Sequence, residues 1–297
     1  MNKPASYTPA KQVSFTGFES NVLVADQWLG AGGHPILLAP GGGQTRHAWG
    51  GTGERLARAG FHVTSVDQRG HGESAWPQSG DYSYSAFAKD FVCVAQRLKI
   101  TTGHAPVAIG ASLGGIAGLC AQGRVSSALS GLVLVDITPT VKISGVEKIL
   151  SFMAANIDEG FATLEEASDV IARYLPNRTR PKNLDGLAKN LRLDEDGRYR
   201  WHWDPRFLER RQPGKGQRDE LRAEMIAAAK SLVIPTLLVR GKSSELVSED
   251  NVREFRDLVP HADFIDVSDA SHMVAGDRND RFSEAVEGFV QHHFTKA

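Results

Sequence analysis

The sequence predicts an α/β fold: a mostly parallel, eight-stranded sheet flanked by helices, interrupted by an inserted helical cap. Three observations predict it. Short apolar runs of strand length alternate with helix-length amphipathic segments through the first 136 residues. The alternation stops for about ninety residues of charged, helical sequence and then resumes to the end. The apolar runs are near-continuous stretches of Val, Ile and Leu, as expected for strands covered on both faces.

In chain order, Val13–Phe15 and Val22–Val24 read as edge strands with alternating faces. Ile36–Ala39 is a short buried strand that ends in the run Gly41-Gly42-Gly43. A helix from about Ala48 to Ala59 stops at Gly60, a suitable C-terminal cap. His62–Val66 is the next strand, a helix spans about Ser85 to Leu98, and Val107–Ala111 is a fully apolar strand. The helix after it leads to the strand Gly131–Val135, closed by Asp136. Residues 139–231 carry 17 Lys and Arg against 15 Asp and Glu over 142–231 and show no strand pattern, so they are expected to form the cap. The core resumes with the strand Pro235–Arg240, a helix over Glu249–Leu258, the strand Phe264–Val267 and a helix over about Asp280–His293. The expected division is a core of residues 1–138 and 232–297, with 139–231 inserted as the cap.

Composition narrows the function. The chain has 297 residues, 41 % hydrophobic and 23 % charged, with a net charge of −1. Such a balance gives no field to gather nucleic acid or an anionic membrane. The basic clusters Arg178–Lys182 and Arg210-Arg211 are interspersed with acids and match no nucleic-acid motif. The start of the chain is polar and carries no apolar signal segment, and no apolar run is long enough to span a bilayer. Cys93 and Cys120 lie on helical patterns among apolar neighbours and read as buried free thiols. A cytoplasmic monomer or homodimer is expected, with no nucleic-acid or membrane partner.

The chemistry centres on Gly110-Ala111-Ser112-Leu113-Gly114. A G-x-S-x-G pattern between a strand and a helix lifts the serine oxygen out of a sharp turn, where a base can reach it. Ordinary turns also contain these residues, so the rest of the chain must supply the partners. His272, in a polar loop past the last strand, is the best base among ten histidines; a surface role is the competing reading. Two carboxylates compete to orient it. Asp136 directly follows an apolar strand, where a charge is costly to bury without a purpose. Glu245 follows the later strand Pro235–Arg240 but sits among Ser and Lys, as a solvated loop residue would. The expected oxyanion donors are the backbone N–H groups of Leu113 and Gly42. A phosphate cradle at the glycine run is disfavoured, because the spacing matches neither nucleotide-binding motif. No metal-ligand spacing is present and no cofactor is expected. Trp201 and Trp203, with Phe152, Phe207 and Tyr174, are candidates to line a substrate pocket, or else to staple the cap to the core.

Four motifs taken in order are Leu38-Ala39-Pro40-Gly41-Gly42, Asp67-Gln68-Arg69-Gly70-His71-Gly72-Glu73-Ser74, Gly110–Gly114 and His272. Together they resemble the α/β-hydrolase superfamily over nearly the whole chain. Pro40 stands where many members have histidine, and Glu245 stands near the usual acid without its aspartate form. Some members instead place an aspartate after the strand that follows the elbow, and Val135-Asp136-Ile137-Thr138-Pro139 looks like that subgroup. The resemblance implies a Ser112–His272–Asp136 triad, with Glu245 the alternative acid, and a lid over the active site. Since related enzymes that displace at saturated carbon use an aspartate nucleophile, Ser112 favours acyl transfer to water. The expected activity is hydrolysis of a small carboxylic ester or lactone. A carbon–carbon bond hydrolase, a cofactor-free perhydrolase or haloperoxidase, and a ligand sensor on the same fold are the alternatives.

Overall fold

The computed structural model describes residues 8–174, 183–209, 215–268 and 280–295. Strands β1 (Thr8–Thr16) and β2 (Val22–Leu29) precede β3 (Pro35–Ala39), β4 (His62–Val66), β5 (Val107–Ala111) and β6 (Gly131–Val135). A separate hairpin, β7 (Leu191–Leu193) and β8 (Tyr199–Trp201), falls before β9 (Thr236–Gly241) and β10 (Asp263–Val267). The main sheet has eight strands in the order β1-β2-β4-β3-β5-β6-β9-β10. Pairing is antiparallel where β2 meets β1 and β4, and parallel elsewhere. Every residue of β3, β5, β6 and β9 is buried, which is why β3, β5 and β6 read as unbroken apolar runs; in β9 the buried Arg240 is paired with Asp266.

Helices cover both faces. In chain order the helices of the described residues are α1 (Gly50–Arg58), α2 (Tyr84–Thr102), α3 (Leu113–Arg124), α4 (Ile143–Ala154), α5 (Leu164–Tyr174), α6 (Asp185–Ala188), α7 (Arg206–Glu209), α8 (Lys215–Lys230), α9 (Glu249–Leu258) and α10 (Asp280–Phe294), of which α4–α8 belong to the segment between β6 and β9. Successive strand residues point to opposite faces. Ile36, Leu38, Ile109 and Val133 pack with Leu56 of α1 and Phe282 and Val286 of α10. Leu37, Ala108 and Leu132 pack with Phe91 of α2, Ala117 of α3 and Phe255 of α9.

The alternating strands and helices follow the order the sequence predicts, but Val22–Val24 is not an edge strand: it opens β2, which pairs with both β1 and β4, and β1 and β2 extend well beyond the three residues expected of each. A 3-10 turn over Arg46–Trp49 replaces the first turn expected of α1, which begins at Gly50 and ends before Gly60 as expected. Helix α2 starts one residue early, where the Ser83 hydroxyl accepts from the Ala86 N–H at 3.2 Å. It runs a turn further than expected because the left-handed residue that ends it is Gly103, with φ of 81°. Cys93 and Cys120 are free, and Cys120 is buried.

The segment between β6 and β9 requires one correction: it is not wholly helical. Leu191 pairs with Trp201 and Leu193 with Tyr199 across a turn in which Gly197 takes φ of 76°. The signal was present, since Leu191-Arg192-Leu193 and Tyr199-Arg200-Trp201 alternate apolar and charged residues about an Asp196-Gly197 turn. Arg192 and Arg200 both pair with Asp194, which masks the strand pattern as a charge cluster. Helix α8, the last of this segment, returns to the core and packs Ala228 against Gly123 of α3.

Candidate active site

The sheet register brings Gly41, Gly42, Ser112, Leu113, Asp136 and Glu245 to loops at one edge. Ala39 pairs with Gly110, Ala111 with Val135, Val135 with Val239, and Gly241 with Val267. The loops that begin at Pro40, Ser112, Asp136, Lys242 and Ser268 therefore leave neighbouring strands at their carboxyl ends, where ligands bind in open parallel sheets.

Ser112 forms the turn between β5 and α3. Its backbone sits at φ 46° and ψ −111°, a strained geometry for a residue with a side chain. Its N–H donates to Val135 O at 3.1 Å and its carbonyl accepts from the Ile116 N–H at 2.9 Å, so strand and helix both hold the turn. A Cβ on Gly110 would lie 2.5 Å from the Gly114 backbone, and one on Gly114 would lie 2.3 Å from Ala39 O. Glycine at both positions is what lets α3 start so close to the sheet.

The glycine loop lies beside this turn. The Gly41 N–H donates to Gln44 Oε1 at 3.0 Å, and Gln68 Nε2 donates to Pro40 O at 2.7 Å. These two side chains shape a loop that Pro40 leaves without a histidine. A Cβ on Gly41 would be 3.6 Å from Ser112 Cβ, and one on Gly42 would be 3.7 Å from Leu113 Cδ2 and 3.2 Å from Phe207 Cζ. The loop backbone thus faces the elbow directly.

Asp136 is fully buried and, like Ser112, has a positive φ, here 50°. The Gly241 N–H donates to its Oδ1 at 3.1 Å and the Ser244 hydroxyl to its Oδ2 at 2.6 Å. Ser244 and Gly241 escaped sequence reasoning, because nothing in their local pattern marks them as neighbours of a residue over a hundred positions away. Glu245 turns the other way and pairs with Lys148 of α4. His272 lies outside the described residues, as do the basic clusters at 178–182 and 210–211.

A cavity of about 1890 Å³ opens over Ser112, Leu113 and Gly41–Gln44. Its far wall comes from the β6–β9 segment, including Met153, Trp201, Trp203 and Phe207. Trp203 is 2 % exposed and meets Phe207 edge to face at 6.1 Å between ring centres. Trp201 packs edge-on against Phe161 and donates from its indole N–H to Ala155 O at 3.4 Å. Phe152 and Tyr174 stack at 4.1 Å, and burial together with the Glu245 charge pushes the Tyr174 phenol up to about 12. Behind these rings, Asp204 receives the Tyr82 hydroxyl at 2.5 Å and its N–H donates to Gly70 O at 2.8 Å. His71 bridges Trp203 through the backbone, so the loop after β4 anchors the aromatic wall.

A model of the alpha/beta hydrolase fold matches residues 34–278. The chain belongs to this family. The esterase Rv0045c of Mycobacterium tuberculosis is 26 % identical over 277 residues, 92 % of this chain and 87 % of that relative. The 2-(acetamidomethylene)succinate hydrolase of Mesorhizobium japonicum is 27 % identical over 235 residues, 77 % of this chain and 78 % of the relative. Among solved structures, that of E-2-(acetamidomethylene)succinate hydrolase superposes with a TM-score of 0.81 at 21 % identity, covering 95 % of this chain and 99 % of its own. The protein is a hydrolase of this fold. Among the described residues, no helix of this hydrolase is long and apolar enough to cross a membrane.

Proposed function

We propose that this hydrolase cleaves a small carboxylic ester or lactone through an acyl-enzyme, with Ser112 as nucleophile, His272 as base and Asp136 as the acid that orients it. The observation that carries the proposal is the strained Ser112 turn, facing the glycine loop at the floor of a large, largely apolar cavity. His272 removes the Ser112 proton as the oxygen attacks the carbonyl carbon. The N–H groups of Gly42 and Leu113 receive the oxyanion; each such donor is worth about 3 kcal/mol at the transition state. The carbonyl re-forms as the leaving alcohol takes its proton from the imidazolium. Water then adds to the acyl-enzyme with the same base, and Ser112 regains its proton. Residues 139–231 act as the cap, and Trp201 and Trp203 form the apolar side of the substrate pocket. Asp136 is preferred to Glu245 because it is buried and held by two donors, whereas Glu245 is engaged with Lys148.

A second reading is a hydrolase of another bond type, favoured by the relative named for 2-(acetamidomethylene)succinate. Turnover of p-nitrophenyl acetate and butyrate, with labelling by a fluorophosphonate probe, tests the main reading. The wild type should turn over the esters and label at Ser112, and Ser112→Ala should do neither. Ester turnover no greater than that of Ser112→Ala refutes the ester reading; absence of a covalent adduct refutes the serine nucleophile itself.

A further inference from the structure

The Ser244 hydroxyl makes three hydrogen bonds, and together they leave it no choice of direction. The Leu246 N–H donates to its Oγ at 3.1 Å and the Val247 N–H at 3.0 Å. Both partners are backbone donors, so they occupy the two lone pairs of the hydroxyl. Its single proton therefore goes to the remaining partner, Asp136 Oδ2 at 2.6 Å. A serine hydroxyl in an open loop rotates freely; this one is a fixed donor aimed at a buried carboxylate. The Gly241 N–H fixes the other oxygen from the opposite end of the same turn.

The same turn carries the neighbouring segment. Leu246 O accepts from the Lys142 N–H at 2.9 Å, and Glu245 pairs with Lys148 of α4. A Cβ on Gly145 of α4 would meet Glu245 O at 2.3 Å, so helix and turn are in direct contact. Two adjacent residues thus divide the work: Ser244 faces Asp136, and Glu245 faces the inserted segment.

We propose that Ser244 is a positioning residue that locks the Asp136 carboxylate in the orientation catalysis requires. It touches no reacting atom and acts only through Asp136. The proposal rests on Asp136 being the triad acid. A hydrogen bond to a charged group contributes enough that its loss should lower kcat about tenfold to a hundredfold. KM should be unchanged, because Ser244 does not line the cavity.

The test compares Ser244→Ala, Ser244→Thr, Asp136→Asn and the double variant Asp136→Asn/Ser244→Ala. Each is assayed for kcat and KM on p-nitrophenyl butyrate and for the rate of fluorophosphonate labelling. Ser244→Ala should lose kcat and labelling rate at constant KM, and Ser244→Thr, which keeps the donor, should restore most of both. In the Asp136→Asn background, Ser244→Ala should cost nothing further. If Ser244→Ala does not fold, Ser244→Cys provides the comparison with Thr, since its thiol is a similar-sized but weak donor. Wild-type kcat in Ser244→Ala or Ser244→Cys, or losses that multiply in the double variant, overturns the proposal. Full activity in Asp136→Asn is a distinct result: it overturns the acid assignment, and this proposal with it.

Discussion

Replacing Asp136 by Asn is the sharpest test of the site, because the structure leaves the amide no comfortable orientation. With its oxygen toward the Gly241 N–H, its NH2 group faces the Ser244 hydroxyl, whose lone pairs already accept from Leu246 and Val247. Flipped, the NH2 group opposes the Gly241 N–H. Either way a buried donor faces a donor, at a cost of about 1–3 kcal/mol in stability. The catalytic loss is larger. An amide cannot hold the imidazole in the required tautomer or stabilise the imidazolium, and the equivalent change in a serine-protease triad costs about 10⁴ in kcat, or roughly 5.5 kcal/mol. Glu245→Gln removes a half-buried carboxylate's pair with the half-exposed Lys148, worth about 0–1 kcal/mol, and should change kcat less than about threefold. The assay is steady-state hydrolysis of p-nitrophenyl butyrate by both variants, with urea midpoints to show that each is folded. A larger loss of kcat in Glu245→Gln than in Asp136→Asn would refute the reasoning.

Gly114→Ala should destabilise the fold by about 1–3 kcal/mol and lower kcat, because the new methyl meets Ala39 O just before the glycine loop; urea unfolding and ester turnover read the two effects. Burial pushes the Asp204 carboxyl up, but hydrogen bonds from Arg206 and the Tyr82 hydroxyl outweigh it and hold the group below the usual carboxylate range. Its contribution to stability is therefore present above the unfolded value of about 4 and is lost as pH falls through the lower folded value. Asp204→Asn should be less stable than wild type at pH 7 and show a shallower loss of Tm between about pH 5 and pH 2. Burial pushes the Cys120 thiol up to about 12, so native protein should not react at Cys120 with a disulfide reagent at pH 8, whereas urea-unfolded protein should.

The sequence by itself determined the layered fold and the place of the sharp Ser112 turn proposed to carry the nucleophile. Both are local: a five-residue apolar run reads as a buried strand wherever it lies, and Gly110–Gly114 carries its own turn geometry. It also named Asp136, since a carboxylate ending the Gly131–Val135 run has to be accounted for chemically. The β7–β8 hairpin was legible in its alternation and its Asp-Gly turn, yet the surrounding charges resembled those of a polar helix. Only the tertiary structure decided how Asp136 and Glu245 differ. Each follows a strand of the same sheet, and sequence proximity says nothing about which way a side chain turns. Burial and the donors Gly241 and Ser244 hold one, while Lys148 draws the other toward α4. The sequence offered Trp201, Trp203, Phe152, Phe207 and Tyr174 as pocket residues but not what places them: the loop after β4 anchors the segment that brings Trp203 and Phe207 to the glycine loop. Partners separated by a hundred residues are chosen by packing, and packing is a property of the folded chain.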